Sequence, residues 1–109
     1  MFHISLALLD GPAHGYRLMQ DVEELSRGAT RLGPGTLYRS IQRMQVDGLL
    51  DEVGHPGDAG DLRRRSYQLT AAGYAAAREE ASRLAVLVRA AEAHGLISST
   101  NDLEGALHV

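Results

Sequence analysis

Residues 34–50, PGTLYRSIQRMQVDGLL, decide how the rest of this 109-residue chain is read. Proline has no amide hydrogen to lose and a φ already near the helical value, so Pro34 suits the first position of a helix. Gly48 suits the left-handed residue that ends one, and a helix from Pro34 to about Asp47 is predicted. At 100° per residue, Leu37, Ile41 and Met44 fall on one side of it, and Thr36, Arg39, Gln42 and Arg43 on the other. One face is for burial; the other offers guanidinium, amide and hydroxyl groups to something outside the chain.

Upstream, Tyr16, Leu18, Met19, Val22 and Leu25 recur at helical spacing with Asp21, Glu23 and Glu24 on the outward side, which predicts a second amphipathic helix over about 13–26. The turn signal Asp10-Gly11-Pro12 separates it from a short, mostly buried helix over 3–9. Downstream, 50–55 and 65–70 are short strand candidates around the turn-formers Pro56-Gly57-Asp58-Ala59-Gly60-Asp61, so a two-stranded hairpin is expected. Thr70 is a suitable N-cap for a long helix from Ala71 to about His94, with Gly95 as its stop. Tyr74, Ala77, Ala81, Leu84, Val88 and Ala91 form an apolar seam on that helix, more than so small a core can cover. A second copy of the chain is the economical cover.

Three helices, a hairpin and a long helix are the order of a winged helix-turn-helix with a dimerisation appendage. The expected fold is mainly α with a small β-hairpin: a DNA-binding domain over 1–70, a dimerisation helix over 71–95, and a tail over 96–109 that has no sustained period. In such modules the third helix enters the major groove and the wing reaches phosphate or the minor groove. The net charge of −3 opposes DNA binding as a sum but not as a distribution. Between residues 27 and 47 lie Arg27, Arg31, Arg39 and Arg43 against the single acid Asp47, and Arg63, Arg64 and Arg65 form a second cluster on the wing. The expected DNA contacts are Thr36, Arg39, Ser40 and Arg43 on the third helix and Arg63 to Arg65 on the wing. Tyr38, on the flank between the two faces, is as well placed for the core boundary as for a phosphate. Tyr16, at the start of the helix that crosses the backbone, reaches phosphate at most.

Other chemistries find little support. The chain is 44% hydrophobic and 23% charged, within the range of folded globular proteins, and has no cysteine for disulfides or thiolate metal sites. Its histidines (3, 14, 55, 94 and 108) are scattered without ligand spacing, and no motif organises a nucleophile, so neither a metal, a cofactor nor an enzyme is expected. The apolar run Ile4–Leu9 is too short to span a bilayer and lacks the flanks of a secretory signal, which predicts a cytoplasmic protein. A protein-interaction adapter is the competing reading, since winged helices can dock proteins instead of DNA.

Four blocks carry a resemblance: Gly11-Pro-Ala-His-Gly-Tyr16, Pro34-Gly-Thr-Leu-Tyr38, Asp47-Gly-Leu-Leu50 and Arg64-Arg-Ser-Tyr-Gln-Leu-Thr-Ala-Ala-Gly73. In this order and spacing they resemble the PadR-like transcriptional regulators. The resemblance implies a homodimeric winged-helix regulator, commonly a repressor, that binds a pseudo-palindromic operator in duplex DNA and is often released by a small-molecule effector. The sequence departs from the family's pattern at Gly33 for a common serine, Arg39 for a frequent proline, Ser66 for a frequent aromatic and Ala71 for the usual proline. Arg39 is expected to alter operator preference, and Ser66 makes the wing less aromatic.

Overall fold

The computed structural model describes residues 1–53 and 65–98. Its elements are α1 (Phe2–Ala7), β1 (Ala13–His14), α2 (Gly15–Leu25), α3 (Pro34–Val46), β2 (Leu50–Val53), β3 (Ser66–Leu69) and α4 (Ala71–Ala93). The described residues fall into two compact units that divide within α4, one up to residue 77 and one from residue 78.

The first unit holds the core: Ile4 and Leu8 at α1, Leu18 and Val22 on α2, Leu37, Ile41 and Met44 on α3, and Leu50, Tyr67 and Leu69 from the strands. The inward face of α3 is the one its periodicity predicts. On α2 the periodicity overcounts, because Tyr16 and Leu25 are 57% and 52% exposed and only Leu18 and Val22 are fully buried among its large apolar side chains. Helical spacing marks a stripe wider than the part a small core can cover.

Both ends of α3 follow from their sequence. Gly33 is the extended N-cap and Pro34 the first helical residue. At the other end Gly48 takes φ +76°, and the backbone closes on itself: Gly48 N donates to Gln45 O at 3.0 Å and Leu49 N to Met44 O at 2.8 Å. That pair of bonds is a Schellman motif, in which a left-handed residue lets two amides turn back onto otherwise unpaired carbonyls.

The wing differs from the expected hairpin in having a third strand. The antiparallel sheet has order β1-β3-β2, with Leu50 opposite Leu69, Val53 opposite Ser66, and Ala13 opposite Tyr67. Ala13 and His14 are therefore strand, not the first residues of α2, and His14 has extended φ −73°, ψ 154°. Ser66, the departure at the wing, meets His14 Nδ1 through its Oγ at 3.1 Å, so a polar contact ties the outer strand to the central one. Residues 54 and 55, expected to continue β2, lie outside the described residues.

Thr70 caps α4 as its sequence position predicts. Its Oγ1 accepts from Gly73 N at 3.0 Å and donates to Gly48 O at 2.6 Å, while its own N–H donates to Leu49 O at 3.0 Å. One residue thus satisfies a helix terminus and fastens it to the start of β2. The approach is close enough that a Cβ at Gly73 would run into the Leu49 carbonyl oxygen and lie 2.9 Å from Leu69 Cδ2, so glycine alone fits there.

In the second unit α4 ends in another Schellman turn, with Gly95 at φ +76° and Leu96 N donating to Ala91 O at 2.9 Å. Arg83 donates to Glu80 one turn before it, and that pairing holds the Glu80 carboxyl below its ordinary range. Val86 and Leu87 are 57% and 55% exposed, a large apolar area for one helix to leave uncovered.

Candidate nucleic-acid interface

The outward face of α3 carries Thr36, Arg39, Gln42, Arg43, Gln45 and Val46, all exposed. Arg39 makes no ion pair among the described residues. Arg43 sends Nε toward Asp47 Oδ2 at 3.3 Å, one turn further along the helix. Ser40 is half-buried and stands beside this face instead of on it. Gln42, on the polar side of the wheel but not among the expected contacts, projects as openly as Arg39; helical geometry alone could have selected it.

Tyr38 belongs to the core boundary. It is half-buried and packs against the core, and a Cβ added at Gly15 would strike its hydroxyl and approach its Cε1 to 2.9 Å. Gly15 opens α2 and lets that helix start directly against the ring. Gly35 is different: a Cβ there would meet nothing within 4 Å, so nothing in the described chain requires the glycine. Its bareness keeps the exposed start of α3 open to close approach from outside.

The turn between α2 and α3 is locked by Ser26, whose Oγ accepts from Thr30 N at 2.9 Å. Just beyond it, Arg31 places Nε and Nη2 3.1 and 2.7 Å from Glu23 Oε1. Of the four arginines clustered near α3 in the sequence, Arg31 is therefore neutralised by its own chain. At the base of the wing Arg65 Nε lies 3.2 Å from Glu52 Oε1 on the neighbouring strand, which gives this expected DNA contact an internal partner as well. Beside it, burial chiefly, and then the negative charge of Glu52, raise the Tyr67 phenol above its usual value of 10.0. Arg63 and Arg64 lie outside the described residues. Tyr16 stands exposed on the first turn of α2.

Residues 5–79, spanning α1 to the first turns of α4, match the Transcriptional regulator PadR-like family. The chain belongs to that family. It is accordingly a transcriptional regulator with a DNA-binding winged helix, and its family is not one of enzymes. A relative, transcriptional regulator Rv3488 of Mycobacterium tuberculosis, is 40% identical over 87 residues, covering 80% of this chain and 77% of that one. Many solved structures share the fold, among them the following two. A PadR family transcription regulator from Clostridium difficile R20291 superposes with a TM-score of 0.69 at 19% identity, over 85% of this chain and 94% of that one. F93 from STIV, a winged-helix DNA-binding protein, does so with a TM-score of 0.62 at 20% identity, over 76% of this chain and 84% of that one. Among the described residues of this PadR-like protein no helix is long and apolar enough to cross a membrane.

Proposed function

We propose that this PadR-like regulator binds a pseudo-palindromic operator as a homodimer, reads base edges with Arg39, Gln42 and Arg43 of α3, and represses the gene it covers. The observation that carries this reading is the outward face of α3. In a chain of net charge −3, that face presents Arg39, without an ion partner among the described residues, and Arg43 on a helix whose other side is given to the core. Arginine and glutamine are the side chains suited to bidentate contact with guanine and adenine in the major groove. Thr36 flanks them for a phosphate or a base, Ser40 and Tyr16 are left with phosphate at most, and the wing arginines supply sequence-independent affinity. Such a protein works beside the chromosome, in the cytoplasm.

Residues 1–70 form the DNA-binding part in this reading, and the helix of residues 71–95 the dimer contact. Exposed Leu87, together with Tyr74, Ala77, Ala81, Leu84, Val88 and Ala91, gives α4 an apolar area that a second copy would cover. A dimer bound to such an operator places its two α3 helices in successive major grooves about 34 Å apart. Leu84→Asp would bury an unpaired carboxylate in that interface, at an expected cost of several kcal/mol. Sedimentation should then find the variant monomeric where the parent is a dimer, and a parent that is itself monomeric at micromolar concentration contradicts the dimer. A small-molecule effector would release DNA by favouring a dimer in which the α3 spacing no longer matches the operator. The adapter reading is weaker, because Val46 is the only large apolar side chain among the polar groups exposed on α3.

Selection of bound fragments from genomic DNA with purified protein tests the whole proposal. Enrichment of inverted half-sites centred one helical turn apart is expected. No enrichment over input at physiological salt contradicts it.

A further inference from the structure

We infer that Asp47 is a positioning residue for base reading: it holds the Arg43 guanidinium by its Nε edge, so that the two terminal nitrogens face outward as a fixed pair. This rests on the reading that the exposed face of α3 meets DNA. A guanidinium carries five donors in a planar fork, with the Nε–H on one edge and a pair of terminal nitrogens on another. The 3.3 Å contact from Arg43 Nε to Asp47 Oδ2 occupies the first edge and leaves the end-on pair free. That pair is the one that fits O6 and N7 of a guanine.

Stability does not account for an acid at this position. Asp47 is the C-cap of α3, where the partial negative charge of the helix terminus disfavours a carboxylate. Its side chain does not close the cap, which the backbone bonds from Gly48 and Leu49 already do. Among the described residues the Asp47 carboxylate bonds to Arg43, an exposed i,i+4 pair in the order with the basic residue first, the weaker of the two orders in a helix. Facing DNA, the same carboxylate repels phosphate. It is also the single acid between residues 27 and 47, placed one helical turn from the arginine it touches. An acid that is unfavourable for the helix and for general DNA affinity, yet fixes the orientation of one arginine, trades affinity for selectivity. Fixing the side chain beforehand also reduces the entropy lost when DNA binds.

The test is a set of titrations on the selected operator and on random duplex, using the parent, Asp47→Ala, Asp47→Asn, Arg43→Ala and the Arg43→Ala, Asp47→Ala double variant. Thermal melts control for folding. With Asp47→Ala, affinity for random duplex should hold or rise and affinity for the operator should fall. The ratio of the two should drop roughly three- to tenfold, a fraction of what a bidentate guanine contact supplies. Asp47→Asn keeps an acceptor for Nε and should retain part of the ratio. In the Arg43→Ala background, Asp47→Ala should leave the ratio unchanged. If Arg43→Ala lowers the ratio but Asp47→Ala does not, or raises both affinities equally, the positioning role is wrong while base reading by Arg43 stands. If Arg43→Ala weakens both duplexes equally, the base-reading role of Arg43 falls, and the positioning role with it.

Discussion

Leu37→Ala is expected to lower the free energy of unfolding by about 2–5 kcal/mol, the range for removing a fully buried leucine and leaving its cavity. Leu37 is 0% exposed and lies on the inward face of α3, among the side chains that join α1, α2 and the strands. A small domain has only about 5–15 kcal/mol in total, so this one change should remove much of it. Urea denaturation at a fixed protein concentration should show a much lower midpoint with an unchanged slope. Val46→Ala, on the same helix but 79% exposed, is the control and should move stability by no more than about 0.5 kcal/mol. A loss below about 1 kcal/mol for Leu37→Ala would contradict the packing described for α3.

The helix that carries the interface was legible because three local signals agree on it. Pro34 marks its start, Gly48 its end, and the spacing of Leu37, Ile41 and Met44 its inward face, and all depend on residues within one helix. The features that were not legible depend on partners far along the chain. Ala13 and His14 make a strand too short for an alternating pattern, and they are strand only because Tyr67 and Ser66 lie beside them. Arg31 counts in the sequence as one of four arginines in a basic stretch, and its pairing with Glu23 forms only once the turn after α2 folds back. Tyr38 was undecided on a helical wheel, since its placement is set by Gly15 on another helix. Ser40 and Gln42 are a matter of degree. The wheel shows both off the core side, and only the packed helix separates a half-buried flank from an open face.

The Arg39→Ala, Arg43→Ala double variant is expected to have the largest effect on DNA binding. Each good bidentate base contact supplies about 1–3 kcal/mol of discrimination, so removing both should weaken operator binding by about 2–6 kcal/mol if the two sites act independently. Where an arginine neutralises a phosphate instead, random duplex weakens as well, and the salt slope falls by about one for each phosphate left without its cation. Both side chains are exposed, so folding and assembly should be unchanged. Titration of this variant against operator and random duplex at several salt concentrations, with circular dichroism and sedimentation matching the parent, tests the reading of DNA by α3 most directly. The expected result is a drop of at least about thirtyfold in operator affinity and a collapse of the preference for operator over random duplex. A folded, dimeric double variant that binds both duplexes as tightly as the parent would contradict it.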